Sequence, residues 1–240
     1  DVKQMQQALE ALAERLGTTL EEANRVRDKL KPCRELAHRL DRLTWQEGLV
    51  SGFENHLWLV SASDFNQDLS KCYNQLEQIV ISCYQSPAYP EDMLRLAYIG
   101  VPSVYGRDLY RYIERNGARV VFNEIQRQFA MPSPGNSLAE QYSNYTYPYS
   151  IYQRLKDITT ELGRRRVDGV IHYVQAFCHR GIGDIIFRDA IKLPMLTLEG
   201  NNDFFLNQHT KTRVEAFIDM IRRRQHRPKQ SKQALINPAQ

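Results

Sequence analysis

Residues 94–122 read LRLAYIGVPSVYGRDLYRYIERNGARVVF, and this stretch decides the fold. The apolar run Leu94–Gly100 ends in a glycine that is followed closely by a proline, a pattern typical of a buried strand that runs into a loop. Residues 108–116 predict a helix that a glycine stops, and residues 120–122 predict a second strand. A strand, a helix and a second strand in this order are the unit from which parallel sheets are built.

The alternation of helices and strands continues to the end of the chain. Apolar residues at helical spacing indicate further helices, and short apolar runs indicate further strands. The predicted helices cover residues 151–162, 182–191 and 214–221, and the predicted strands cover residues 170–174 and 195–198. We therefore predict an α/β fold with a doubly wound parallel sheet, Rossmann-like or flavodoxin-like, preceded by a helical segment.

The first third of the chain has the spacing of helices only. Thr19 with Glu22 predicts a capping box, Pro32 is expected to kink or end the helix that follows, and Ser63 or Asp64 is expected to open a further helix. We predict a helical segment over residues 1–86, a parallel α/β domain over residues 87–225 and a basic flexible tail over residues 226–240.

The net charge of +4 is unevenly distributed. Six basic residues and no acid follow Asp219: Arg222, Arg223, Arg224, Arg227, Lys229 and Lys232. Without them the chain is slightly acidic, so we expect a solvated, partly disordered tail and no nucleic-acid partner. No apolar run is long enough to cross a bilayer, and no signal-peptide pattern opens the sequence, so we expect no membrane association and a cytoplasmic location. Because the first residue is Asp1, we expect a processed chain or a piece of a longer one.

The four cysteines form no CxxC pair, so reduced thiols or metal ligands are expected rather than disulfides. Cys72 and Cys83 lie on one predicted helix, about 16 Å apart, which is too far for two ligands of one metal. Both occupy its apolar face and are predicted to pack in the core. Cys33 is interpreted as structural and without a partner.

Polar residues collect in the loops after the predicted strands, over residues 100–106, 123–132, 175–181 and 199–204. They are Asn123, Glu124, Arg127, Gln128, Gln175, Cys178, His179, Arg180 and Glu199. Ligands of parallel sheets bind at this edge, outside the carboxyl ends of the strands. Cys178 precedes a predicted helix whose dipole can stabilise a thiolate, so the roles of nucleophile, cluster ligand and half-buried structural thiol stay open. His172 lies within a predicted strand and is interpreted as a hydrogen-bonded core residue.

Two further patterns are weaker. No GxGxxG follows a strand and no GxxxxGKS or GxxxxGKT occurs, so nucleotide binding has no motif to support it. Five tyrosines are predicted to form an amphipathic lid on the sheet edge, although such a cluster can also stack on nucleic-acid bases. They are Tyr142, Tyr145, Tyr147, Tyr149 and Tyr152.

Three motifs occur in a fixed order: NEIQRQFAMP at residues 123–132, TYPY at residues 146–149 and IHYVQAFC at residues 171–178. With the segments LVSGFENHLWLVSASDF at residues 49–65 and LPMLTLEG at residues 193–200, they span most of the chain. In this combination the chain resembles the B/C-type subunits of the 2-hydroxyacyl-CoA dehydratase and benzoyl-CoA reductase family, and in particular the 2-hydroxyglutaryl-CoA dehydratase D-component.

The resemblance implies a lyase subunit that holds a 4Fe–4S cluster, acts on an acyl-CoA and receives an electron from an ATP-dependent activator protein. It places one cluster ligand on Cys178. The residues that it implies around the site are Glu124, Arg127, Gln128, Tyr173 and Gln175. The other cysteines do not fall on the family's ligand positions, which lie in an N-terminal domain that this chain is expected to lack.

One thiolate cannot hold a cubane cluster, so the remaining ligands are expected from a missing N-terminal domain or from a second dehydratase subunit. Three alternatives stay open. The chain can belong to an aromatic acyl-CoA reductase of the same family, or be a structural subunit whose partner carries the active cluster. It can also be a non-catalytic module that binds nucleic acid through its tyrosines and basic tail.

Overall fold

A computed structural model describes residues 1–145, 150–176, 178–200 and 205–226. The described helices are α1 (Val2–Arg15), α2 (Leu20–Arg42), α3 (Gly52–Ser61), α4 (Leu69–Ser82), α5 (Gly106–Arg115), α6 (Glu124–Phe129), α7 (Leu138–Ser143), α8 (Ile151–Arg164), α9 (Gly183–Ala190) and α10 (Gln208–His226). The described strands are β1 (Leu94–Gly100), β2 (Ala118–Asn123), β3 (Gly169–Gln175) and β4 (Met195–Gly200). No described helix is both long enough and apolar enough to span a bilayer.

The strands form one parallel sheet in the order β2-β1-β3-β4. Side chains of α5 and α10 share a buried cluster with one face of the sheet, and side chains of α8 and α9 share another with the opposite face. This arrangement confirms the predicted α/β class and the doubly wound sheet. β1 has the predicted bounds, and the other strands extend by one or two residues beyond the apolar runs that predicted them.

Pro32 was expected to kink or end the helix, and α2 continues through this residue to Arg42, so the helix does not end there. Thr19 caps the helix as expected, because its hydroxyl accepts a hydrogen bond from the backbone N–H of Glu22 at 3.2 Å. Beyond the proline, Ala37 and Leu40 are fully buried in a cluster shared with α4. Burial of this face offsets the hydrogen bond that the proline removes.

The cysteines of the helical segment require one correction. Cys33 has a partner, because its sulfur lies 3.8 Å from that of Cys72 and both side chains are only 2% exposed. The core position predicted for Cys72 is confirmed, whereas Cys83 is half-buried just beyond α4. The helix that carries Cys72 begins at Leu69 and is capped by Asp68. The prediction that this helix opens at Ser63 or Asp64 is therefore wrong.

The basic C-terminal residues are only partly a tail. α10 extends to His226, and a guanidinium nitrogen of Arg222 donates to the carbonyl oxygens of Asn116 at 2.8 Å and Gly117 at 3.3 Å. Arg222 therefore fastens the end of α10 to the turn between α5 and β2, and the prediction that it lies in a solvated tail is wrong. Residues 227–240 lie outside the described part of the chain.

Candidate functional site

A small cleft of about 50 Å³ lies at the carboxyl ends of β1 and β3. Cys178 is half-buried in the turn after β3, where its N–H donates to the carbonyl oxygen of Gln175 at 2.9 Å. The residues that line the cleft are Gly100, Val101, Ile125, Arg154, His172, Tyr173, Val174, Cys178 and Gly181. The structure thus places Cys178 at the edge of the sheet where the sequence predicts a binding site.

Of the other predicted site residues, Tyr173 lines the cleft and Gln175 lies exposed at the end of β3. The hydroxyl of Tyr173 accepts a hydrogen bond from the N–H of Val104 at 3.3 Å, and burial raises the pKa of this phenol. A phenol with a raised pKa stays protonated at neutral pH, so Tyr173 offers the cleft an uncharged ring. The side chains of His179 and Arg180 lie outside the described part of the structure.

The prediction of a loop over residues 123–132 is wrong, since most of this segment forms the buried helix α6. Its first residue, Glu124, is fully buried, and its two carboxylate oxygens accept hydrogen bonds from Nε and Nη2 of Arg154, at 2.8 Å each. A Glu124 oxygen also accepts from the N–H of Gly100 at 3.2 Å. Glu124 therefore acts on the cleft indirectly, by holding Arg154 and the end of β1 in place.

Arg127 and Gln128 are buried on the same helix but do not line the cleft around Cys178. Both bind the carboxylate of Asp157 on α8, Arg127 at 2.6 Å and Gln128 at 3.1 Å. Arg127 and Gln128 therefore join α6 to α8.

Sequence reasoning missed Arg154 as a cleft residue. It lies three residues after Ile151 and four before Ile158, so it belongs to the apolar face of α8. A charged residue on the buried face of an amphipathic helix needs a buried partner, and here that partner is Glu124. The position of Arg154 was therefore the signal that could have identified it.

His172 is confirmed as a hydrogen-bonded core residue, and it also lines the cleft. Its Nδ1 lies 2.6 Å from Oδ1 of Asp184, which also accepts a hydrogen bond from the hydroxyl of Thr197 at 2.6 Å. The other oxygen of Asp184 accepts from Nε of Arg188 at 2.6 Å. Burial lowers the pKa of His172 against the opposing effect of Asp184. Burial alone would raise the pKa of Asp184, but the hydrogen bonds from Thr197, His172 and Arg188 lower it. The result is a neutral imidazole held in one orientation by a charged carboxylate.

The predicted tyrosine lid is only partly described. The rings of Tyr142 and Tyr145 meet edge to face with centroids 6.1 Å apart, and Tyr152 is largely exposed. Tyr147 and Tyr149 lie outside the described residues, as do residues 201–204 of the loop predicted after β4.

The described donors do not fit a complete iron–sulfur cluster. Within the described ranges, no three His, Cys, Asp or Glu side chains are close enough together to hold a metal ion. Cys178 is at the cleft, whereas Cys33 and Cys72 are buried with the helices of the first third of the chain. Among the described residues, the cleft therefore holds the single thiol of Cys178, and no neighbouring set completes a metal site.

The parallel sheet, with a cleft beyond the ends of two adjacent strands, defines a Rossmann-like α/β protein. A family model described as 2-hydroxyglutaryl-CoA dehydratase, D-component, matches residues 2–221. The chain belongs to this family of dehydratase components, which confirms the resemblance seen in the sequence. No curated protein sequence matches the chain.

Proposed function

We propose that this chain is one subunit of an iron–sulfur dehydratase that eliminates water from a 2-hydroxyacyl-CoA thioester. Membership of the dehydratase family supports the reaction class. The observation that carries the proposal is the position of Cys178, half-buried in a cleft at the carboxyl edge of the sheet. Cys178 supplies one ligand of a 4Fe–4S cluster, and a second subunit or an N-terminal domain supplies the others. An ATP-dependent activator protein delivers the electron.

Arg154 is proposed to orient the thioester. Arg154 lines the cleft, and its guanidinium is fixed by the bidentate contact with Glu124, which is itself fully buried. A positive group held rigidly in a partly dry cleft stabilises negative charge on a carbonyl oxygen. Tyr173 and Gln175 are proposed to contact the acyl chain at the cleft and at its rim. Arg127 and Gln128 remain proposed as residues that support the site.

His172 is proposed to transfer a proton during the elimination of water. Elimination of water removes a proton from the carbon next to the one that carries the hydroxyl and adds a proton to that hydroxyl as it leaves, and a neutral histidine can accept the first proton and donate it to the hydroxyl. Asp184 binds Nδ1, so Nε2 is the ring nitrogen that exchanges the proton with a substrate in the cleft. The Asp184 carboxylate stabilises the imidazolium each time His172 takes up a proton.

Turnover with a panel of acyl-CoA thioesters tests the reaction class. We expect the anaerobically purified assembly, with activator and ATP, to convert 2-hydroxyacyl-CoA thioesters to the corresponding 2-enoyl-CoA products, as followed by mass spectrometry. Omission of ATP is the control and should stop turnover. Reduction of an aromatic acyl-CoA without any dehydration of the 2-hydroxyacyl substrates would instead assign the chain to an acyl-CoA reductase.

A further inference from the structure

Thr197 lies directly beside His172 in the sheet. The two residues are register partners on the neighbouring parallel strands β4 and β3, so their side chains leave the sheet on the same face. Asp184, on the helix α9, contacts both of them on this face. The side chain of His172 is only 3% exposed, so its neighbours and not solvent set the surroundings of the imidazole. Whatever holds Asp184 in place therefore determines how His172 faces the cleft.

The Asp184 carboxylate is held at both of its oxygens by Thr197 and Arg188, which we call the clamp. Nη2 of Arg188 donates to the hydroxyl oxygen of Thr197, and this hydroxyl donates in turn to Oδ1 of Asp184 at 2.6 Å. Nε of Arg188 donates to Oδ2 of the same carboxylate at 2.6 Å. Hydrogen bonds to a charged group are short and strong, so the carboxylate cannot rotate without losing one of them.

The clamp is itself anchored to the edge strand β4. Nη2 of Arg213 on α10 donates to the carbonyl oxygen of Thr197 at 2.7 Å, and Nη1 of Arg188 donates to that of Met195 at 3.4 Å. Neither Thr197 nor Arg188 is among the described residues that line the cleft. Both can therefore influence a ligand in the cleft only through Asp184 and His172.

This arrangement determines which ring nitrogen of His172 carries the hydrogen. Burial alone would raise the pKa of Asp184, but the hydrogen bonds from Thr197, His172 and Arg188 lower it. The carboxylate is therefore charged and can only accept hydrogen bonds. Nδ1 of His172, 2.6 Å away, must then carry the hydrogen, which leaves Nε2 with a free lone pair.

We propose that Thr197 and Arg188 are positioning residues for proton transfer by His172. They hold the Asp184 carboxylate in the orientation that keeps the imidazole as the Nδ1–H tautomer, with Nε2 as the proton acceptor. Their role in turnover rests on the proposed function. Nε2 accepts the proton lost from the carbon next to the one that carries the hydroxyl, and it returns a proton to the hydroxyl. The C–H and C–O bonds break, a C=C bond forms and water leaves, so the net step is redox-neutral.

Nitrogen-15 NMR of the full chain, labelled at histidine, tests the clamp without turnover. We expect His172 of the unmodified chain to be a single neutral tautomer with its hydrogen on Nδ1. The double variant Thr197→Val with Arg188→Gln should populate both tautomers, because the carboxylate is then free to rotate. Thr197→Ser keeps the hydroxyl and should keep the single tautomer. A double variant in which His172 remains entirely the Nδ1–H tautomer would refute the proposal.

Kinetics of the assembled protein test the consequence for the reaction. Thr197→Val should lower kcat for a 2-hydroxyacyl-CoA roughly tenfold, the value of one hydrogen bond to a charged group, and leave KM unchanged. Thr197→Ser should restore kcat. Thr212→Val, exposed on α10 with its hydroxyl on the carbonyl oxygen of Gln208, is the matched control and should behave as the unmodified protein does.

The two measurements separate the clamp from the proposed function. Equal losses of kcat in Thr197→Val and Thr197→Ser, or a loss seen in KM alone, would contradict a positioning role. If the unmodified assembly dehydrates no 2-hydroxyacyl-CoA, the proposed function fails. The tautomer of His172 in the double variant then still decides whether Thr197 and Arg188 position the imidazole.

Discussion

Replacement of Arg165 by methionine is expected to destabilise the chain by about 3–5 kcal/mol, the cost of breaking a buried ion pair. Arg165 is fully buried just after α8. Its guanidinium binds both carboxylate oxygens of Asp41 at 2.9 and 2.6 Å, and it binds Glu161 at 2.8 Å. It also donates to the carbonyl oxygen of Val121 on β2 at 2.8 Å. One side chain thus joins α2, α8 and the sheet.

Loss of this guanidinium leaves two buried acids without their main partner. Burial would raise the pKa of Asp41, but the charge and hydrogen bonds of Arg165 lower it. The pKa of Asp41 is lower in the folded chain than in the unfolded chain. The interaction therefore stabilises the fold fully at a pH above the unfolded pKa, and this stabilisation is lost as the pH falls to the folded pKa and below it. In the methionine variant that acid-dependent loss of stability should shrink.

Urea unfolding followed by circular dichroism measures the effect, and Arg164→Met is the matched control. Arg164 contacts the same Glu161 at 2.7 Å, but its side chain is 50% exposed. An exposed pair contributes only about 0–1 kcal/mol, so the control should unfold close to the unmodified chain. Equal unfolding midpoints for the two variants would mean that Arg165 does not join the helical and sheet parts as described.

The substitution Gly100→Ala is expected to cost about 2–5 kcal/mol and to disturb the cleft. Gly100 ends β1 with φ +103°, and an added Cβ would lie 2.1 Å from the carbonyl oxygen of Tyr173 on the neighbouring strand. A positive φ costs an L-residue roughly 1–2 kcal/mol, and overpacking adds about 1–3 kcal/mol. Since the obstacle is backbone, β1 and β3 must separate where they form the cleft.

Gly106→Ala separates the two causes. Gly106 also has a positive φ, +49°, but nothing lies within 4 Å of an added Cβ. Thermal unfolding of both variants should show a loss of about 1–2 kcal/mol for Gly106→Ala and clearly more for Gly100→Ala. If Gly100→Ala is no worse than Gly106→Ala, the close approach of β1 and β3 is not a constraint on the site.

The fold was largely predictable because nearly all of β1, all of β2 and most of β3 are buried. A strand covered on both faces is a continuous apolar run, so β1 was recognised with its observed bounds. The helix α6 was not recognised because its residues are polar and charged yet buried, Glu124 and Arg127 among them. Their burial depends on partners such as Arg154 and Asp157, which are about thirty residues away in the sequence. Local periodicity carries no information about such pairs.

The candidate site also has features that the sequence reveals and features that only the packing of distant segments reveals. Cys178 could be located from the sequence because it follows a strand, and the ends of parallel strands form the binding edge. The contact of Cys33 with Cys72 could not, since it depends on how helices far apart in the sequence pack together. The predicted domain boundaries at residues 86 and 225 stay predictions.

Iron and sulfide counting with EPR, after anaerobic reconstitution, tests the central claim most directly. We expect no intact cubane on this chain alone, a full cluster in the assembled protein and loss of that cluster when Cys178→Ala is assembled in the same way. Cys83→Ala, a half-buried thiol outside the cleft, is the matched control and should keep the cluster. A Cys178→Ala assembly that retains its full iron content would contradict the account.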